Sequence, residues 1–210
     1  MNTLLFGAKG LAKEIINSMN QDGEFDGICL FDNVSNKHDI FLRENFEIIT
    51  DENSLHKFKG SDCVIAVGGA KNREIISQKL IALGLNEAGY VSKHAKVGTL
   101  DNNIHRTVTI LPDANVTISV SIGKGSLINK SVIISHDVKI GDFVELSPRV
   151  TILGRAQIGS RCEIGTGAII LPDVVIGNNC IIGAGSVVTK SISDNSLAIG
   201  VPAKVIRSNL

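Results

Sequence analysis

The sequence predicts a two-part chain, a small α/β domain followed by an all-β stack of short repeats. Three observations carry this. Over the first 90 or so residues, short apolar runs alternate with helical patterns; from about residue 92 the helical pattern stops; and from Ile104 an aliphatic residue returns at every sixth position as far as Val188, fifteen hexads in register without an insertion. Alternating strands and helices build a parallel sheet covered by helices. A fixed short period is the mark of stacked repeats.

In the first part, TLLFGAKG reads as a strand running into a glycine turn, LAKEIINSMN as an amphipathic helix, and GICLFDN as a second strand ending in Asp32. DCVIAVGG is a later buried strand, and KNREIISQKLIALG is a helix closed by Gly84. The domains are therefore expected at 1–91 and 92–210.

In the second part the register runs Ile104, Ile110, Val116, Ile122, Ile128, Ile134, Ile140, Leu146 and onward. Glycine follows the aliphatic residue at Gly123, Gly141, Gly159, Gly165, Gly177 and Gly183, where a corner either needs a positive φ or leaves no room for Cβ. Four residues after the aliphatic position stands a small or β-branched residue, such as Ala114, Val120, Ser126, Val132 and Cys162. Both sets must fill a narrow interior. The pattern resembles the left-handed parallel β-helix of bacterial acyltransferases, in which three hexads make one triangular coil. Handedness follows from that resemblance, because the general crossover rule favours right-handed connections. Residues 104 to 193 then supply five complete coils, with Val97-Gly98 opening a partial one after a short slip. Stacked strands would make the prism roughly 24 Å long. Its ends need covers, the N-terminal domain at one and the tail SLAIGVPAKVIRSNL at the other.

Composition narrows the function. With 21 basic and 21 acidic residues the formal net charge is +0, which argues against a nucleic-acid partner and for a small ligand. The opening MNTLLFGAKGLAKEIINSMN lacks a basic n-region and a cleavage site, and no run approaches the ~20 apolar residues of a membrane span. Cys29, Cys63, Cys162 and Cys180 lack CxxC spacing and read as buried free thiols. A reduced, cytoplasmic protein is the expectation.

Chemistry on a filled prism must happen outside it. His136, in IISHDVKIGDFVELSPRV, stands two positions after Ile134 at an outward position, with Asp137 next and Asn129 seven residues earlier. An exposed corner histidine can be a merely solvated side chain. It can also take a proton from a nucleophile near neutral pH, with a neighbouring carboxylate or amide fixing its tautomer. A metal is not expected, since no close histidine pair accompanies His136 or His105. In the first domain, Gly7-Ala8-Lys9-Gly10 forms a strand-to-helix turn able to hold a phosphate. Lys13 is a candidate cation for a diphosphate, Asp32 a candidate carboxylate for a base or ribose, and Gly68-Gly69 a facing wall. Arg73 reads either as a phosphate contact or as a helix-surface residue.

FGAKGLAKEI, LFDN, VIAVGGAKNREI, INKSVIISHDVKIGDF and IGVPAKVI together resemble the bacterial sugar acetyltransferases of the sialic-acid and bacillosamine pathways, the NeuD/PglD family. The resemblance spans nearly the whole chain. It implies a Rossmann-like nucleotide-sugar domain, a left-handed β-helix, a homotrimer with sites between subunits, acetyl-CoA as co-substrate and no metal. It makes His136 the general base, Asp137 its acidic support and Asn129 a polar partner. It puts Gly154, Thr166 and Ala184 along the pantetheine arm, and Gly200, Val201, Pro202 and Ala203 near the adenine end. The first-domain crevice, with Gly7, Gly10, Lys13, Asp32, Gly68 and Arg73, would hold the nucleotide of a UDP-sugar. One departure stands out: where relatives carry a histidine against the thioester, this chain has Glu145, which cannot donate a hydrogen bond unless protonated. The implied activity is N-acetylation of a nucleotide-linked amino sugar in bacterial surface-glycan synthesis. Sialic-acid O-acetylation uses the same base, and a non-catalytic trimeric scaffold with a nucleotide-sensing domain is the reading of another class.

Overall fold

The structure is a computed structural model and describes residues 3–35 and 37–208. The first domain is a parallel sheet of β1 (Thr3–Phe6), β2 (Ile28–Phe31), β3 (Glu47–Ile49), β4 (Asp62–Ile65) and β5 (Asn86–Ala88), in the order β3-β2-β1-β4-β5. Helix α1 (Gly10–Gln21) follows β1, the short α2 (Ile40–Asn45) precedes β3, and α3 (Ala70–Ala82) joins β4 to β5. Helix α1 buries Ala12, Ile15, Ile16 and Met19, the stripe expected of a helix lying on a sheet. It ends as its pattern demands, with Gly23 at φ 74 and the Glu24 N–H returning to the Met19 carbonyl. Gly84 closes α3 in the same way, with Leu85 N–H on the Leu80 carbonyl.

Strand order reverses at β1, so the carboxyl ends of β1, β2 and β4 open into a crevice at the switch point of the sheet.

The second domain is a parallel β-helix. Two-residue strands run from β6 (Lys96–Val97) to β21 (Val187–Val188), and each pairs with the strand one coil away, as in Ser121↔Lys139 and Ile133↔Thr151. Among the described residues they form three faces: β7-β10-β13-β16-β19, a second of β8-β11-β14-β17-β20, and a third of β6-β9-β12-β15-β18-β21. The offset is 18 residues throughout except at the first coil, where Lys96 pairs with Asn115 and the slip adds one residue. The aliphatic and small positions fill the interior as one continuous cluster that includes Ile134, Val138, Ile152, Cys162 and Cys180.

The corners answer the question about glycine. At every corner from Asp113 to Gly185 the third residue after the aliphatic position has φ between 54° and 69°, and most of these residues are not glycine. Asp, Asn and Ser accept that conformation at modest cost, and Arg149, Arg155 and Arg161 are held there because their N–H groups donate along the axis to carbonyls of the preceding coil. Glycine directly after the aliphatic residue serves the other need, space. A Cβ at Gly159 would stand 2.6 Å from the backbone of Gly177 in the next coil.

The tail forms a hairpin of β22 (Ser196–Gly200) and β23 (Ala203–Ser208), which continues the second face beyond β20. Ala198 is fully buried, so the hairpin closes part of the prism's end.

Arg73 holds the two domains together. It is fully buried; its Nε donates to the Gly125 carbonyl of the prism at 2.7 Å, and Nη1 donates to the carbonyls of Ile65 and Val67. Burial lowers its pKa to about 10, with Glu145 and Glu87 opposing the shift. It is neither a phosphate contact nor a helix-surface residue, because α3 packs this side of itself against the prism.

Candidate active site

His136 lies in the corner between β12 (Ile133–Ile134) and β13 (Lys139–Ile140), where the chain leaves the third face. Asp137 takes the left-handed position of that corner at φ 60, a conformation aspartate tolerates better than most residues. The turn brings Asp137 Oδ2 to 2.7 Å from His136 Nδ1. With Nδ1 facing a carboxylate, the neutral tautomer carries its proton there and leaves the Nε2 lone pair free. Side chains of both residues are about half exposed, at 51% and 54%.

One coil further, Gly154 leaves room for the ring. A Cβ on Gly154 would come within 2.6 Å of His136 Cε1 and 2.7 Å of Nε2. Arg155, beside it, forms a two-pronged ion pair with Asp173 at 2.7 and 2.8 Å. Its pKa is raised, first by the bonds to Asp173 and also by the charge of Asp137, so cation and carboxylates alternate along this edge.

The expected polar partner of His136 and two of the expected coenzyme contacts stand at the opposite edge of the same face. Asn129, Thr166 and Ala184 occupy corners between the second and third faces, and no hydrogen bond joins Asn129 to His136 among the described residues. Asn129 is buried and its Oδ1 accepts the N–H of Lys130. Within one chain, then, the strand Ile133–Ile134 separates Asn129 from the histidine it was expected to accompany. Gly200, Pro202 and Ala203 lie at the tip of the β22–β23 hairpin, where Gly200 N–H donates to Ser186 Oγ.

Glu145 needs correction. It begins β14 (Glu145–Leu146) on the second face, which the first domain covers, and its Oε2 accepts the N–H of Gly69. Within one chain it is held against the α/β domain and not at the His136 corner. Glu163, its neighbour one coil on, accepts the Ala70 N–H at 3.0 Å. The 18-residue spacing of two acids on one face was the sequence signal for this pair.

The crevice of the first domain encloses about 480 Å³. Gly7 and Gly68 line it, as do Asp32 and Lys9 of the expected phosphate turn, together with Asn72, Val34 and Ile75, which the sequence reading did not single out. Lys9 precedes the first turn of α1, and among the described residues no side chain caps that turn. Lys13 does not line the crevice: it forms an exposed ion pair with Asp39 at 2.9 Å. Gly10 starts α1 and does not line it either. Asp32 lines it with its carboxylate already engaged, Oδ1 by the N–H groups of Val34 and Ser35 and Oδ2 by Ser35 Oγ at 2.6 Å. Burial would raise its pKa, but those bonds and nearby His38 bring it below the usual 3.8. All four cysteines are free and buried.

Residues 2–80 match the profile of the PglD N-terminal domain, and residues 155–190 match that of the bacterial transferase hexapeptide, six repeats. Perosamine N-acetyltransferase from Caulobacter crescentus, solved with CoA and GDP-perosamine, shares 25% identity over 99% of this chain and 98% of its own, with a TM-score of 0.88. The chain belongs to the PglD-like sugar acetyltransferases of the hexapeptide-repeat family. As in that family, its β-helix is left-handed. Two further structures share the fold. WeeI from Acinetobacter baumannii AYE has a TM-score of 0.86 at 24% identity, covering 98% of this chain and 100% of that one. The acetyltransferase domain of PglB from Neisseria gonorrhoeae FA1090, with acetyl coenzyme A, has 0.76 at 22%, covering 98% of each. No curated protein matches the chain in sequence. No helix among the described residues is long and apolar enough to cross a membrane.

Proposed function

We propose that this acetyltransferase moves the acetyl group of acetyl-CoA to the amino group of a nucleotide-linked amino sugar, with His136 as general base. The contact of His136 Nδ1 with Asp137 Oδ2 at 2.7 Å carries the reading, because it leaves Nε2 as a free acceptor at an open corner. The sugar amine attacks the thioester carbon, the new C–N bond replaces C–S, and the amine proton passes to Nε2 and on to the departing thiolate. The Caulobacter relative supports both substrates, having been solved with CoA and GDP-perosamine, and variants of it with one histidine replaced have been solved too.

Residues 1–91 hold the nucleotide in the switch-point crevice, with Lys9 and the open first turn of α1 toward its phosphates. Residues 92–210 carry the transfer. The chain works as a homotrimer: Asn129, Thr166 and Ala184 on one edge of the third face, and His136 and Gly154 on the other, form one groove when that edge of one prism meets the other edge of its neighbour, an arrangement that closes into a ring. Exposed Ile133 and Ile169 lie on the face between them. The coenzyme follows the groove from Gly154 toward Pro202. The four buried thiols support a reduced, cytoplasmic setting.

Replacing His136 with Ala tests the base. Loss of turnover by about 10²- to 10⁴-fold is expected, and unchanged turnover with acetyl-CoA overturns the assignment. The family resemblance favours uridine as the base and the Caulobacter likeness guanosine. A thermal-shift screen of UDP-, GDP- and dTDP-sugars with free sialic acid decides, and a response to sialic acid alone overturns the nucleotide reading.

A further inference from the structure

We infer that Glu145 and Glu163 are positioning residues for the nucleotide crevice, which they anchor to the catalytic prism through the amides of Gly69 and Ala70. This rests on the crevice being the nucleotide site. The loop from Ile65 to Ala70 forms one wall of that crevice and has no secondary structure of its own between β4 and α3. Its shape is imposed from behind. Arg73 takes the carbonyls of Ile65 and Val67, Glu145 takes the N–H of Gly69, and Glu163 takes the N–H of Ala70. Gly68, whose other side lines the crevice, packs so closely on the acid that a Cβ there would stand 3.2 Å from Glu145 Oε2. Gly69 sits at φ 84, a conformation open to glycine and strained for residues with a Cβ.

Two carboxylates on the first amides of α3 also decide where a phosphate can go. The positive end of α3 is already neutralised by the protein's own acids, whereas among the described residues no side chain caps the first turn of α1. A diphosphate is thereby directed to the Gly7–Lys9 side, and Gly68 is left as an uncharged wall. Both acids rise from adjacent coils of the second face, Glu145↔Glu163, so the wall is registered directly on the β-helix that carries His136. The device sets the position of the sugar relative to the base without touching either substrate.

Calorimetric titration of the full chain with GDP, with UDP and with coenzyme A tests this. In Glu145→Ala, the nucleotide bound by the wild type should weaken about tenfold, the loss expected for one charge-assisted hydrogen bond. Glu145→Gln should recover much of it, because the amide oxygen still accepts from Gly69, and coenzyme A should bind as before. Wild-type nucleotide affinity in Glu145→Ala overturns the inference, as does equal loss of nucleotide and coenzyme affinity, which marks general damage. Should Glu145→Ala not fold, Glu163→Ala makes the same comparison, with the same outcomes for and against. Failure of the wild type to bind either GDP or UDP overturns instead the assignment of the crevice to a nucleotide.

Discussion

The imidazole of His136 lies across the Cα of Gly154, one coil away, so closely that a methyl group on that glycine would stand 2.6 Å from Cε1. Gly154 is buried and in no left-handed conformation, so an alanine methyl there is pressed against the ring. Gly154→Ala should therefore rotate His136 away from Asp137, lowering kcat by about a hundredfold. Unfolding should shift little, because the half-exposed His136 ring can swing toward solvent. Turnover measured beside the thermal midpoint checks both halves.

Asp137 has two roles that separate on substitution. Its backbone occupies the left-handed corner, which asparagine accepts equally, while its charge stabilises the imidazolium formed as His136 takes a proton. Asp137→Asn should fold normally and reduce kcat/KM by about ten- to a hundredfold. An undiminished rate would mean that the carboxylate does not assist the base.

Arg73 should be among the most sensitive positions for stability. Removing it orphans the carbonyls of Ile65, Val67 and Gly125 and leaves Glu145 and Glu87 without their buried cation. Arg73→Ala should cost about 3–5 kcal/mol, the range for breaking a buried charged network by deleting one member. Urea denaturation measures it. Nucleotide titration of whatever folded fraction remains should show no contribution specific to phosphate beyond that loss of structure.

Asp22 and Tyr90 give the fold two pH limits. Burial would raise Asp22, but hydrogen bonds from Tyr90, the Lys93 N–H and Ser92, with His94 close by, leave it below 3.8. Its folded value is depressed, so the unfolded chain binds more protons between the two values; this stability is present above about pH 4 and is lost as pH falls through the folded value. Tyr90 moves oppositely, pushed up from 10 to about 12 by burial and by Asp22. That contribution is complete below pH 10 and disappears as pH rises toward 12. Urea midpoints of Asp22→Asn and Tyr90→Phe, followed across the acid and alkaline ranges respectively, should each lose the corresponding slope of the wild type.

The periodic part of the chain was legible because its signal is local and repeated. One interior position every six residues defines the prism, and counting from Ile134 places His136 on an outer corner. Glu145 and Arg73 were not legible as what they are. Arg73 was left between a phosphate contact and a helix-surface residue, and Glu145 was placed beside the thioester, yet Glu145 finds its partner 76 residues away and Arg73 reaches Gly125 at a separation of 52, across a boundary that no local pattern describes. Lys13 was misread for a smaller reason: one turn of helix separates it from Lys9, and the helix start points Lys9 and Leu11 at the crevice but not Lys13. The corners hid their geometry as well, since the left-handed residue is Asp, Arg or Asn more often than the glycine that would have advertised it.

The constant offset of 18 residues between paired strands makes the prism a ruler with one graduation per coil. Any change of length that preserves the pairing must add or remove a whole coil, and each one moves the tail hairpin by about 4.8 Å relative to His136. Excising 169–186 would bring Pro202 one graduation nearer to His136 while leaving Gly154 and Thr166 untouched. Reach along this protein is therefore quantised, and evolution could retune it by duplicating or deleting an eighteen-residue unit without redesigning a single corner.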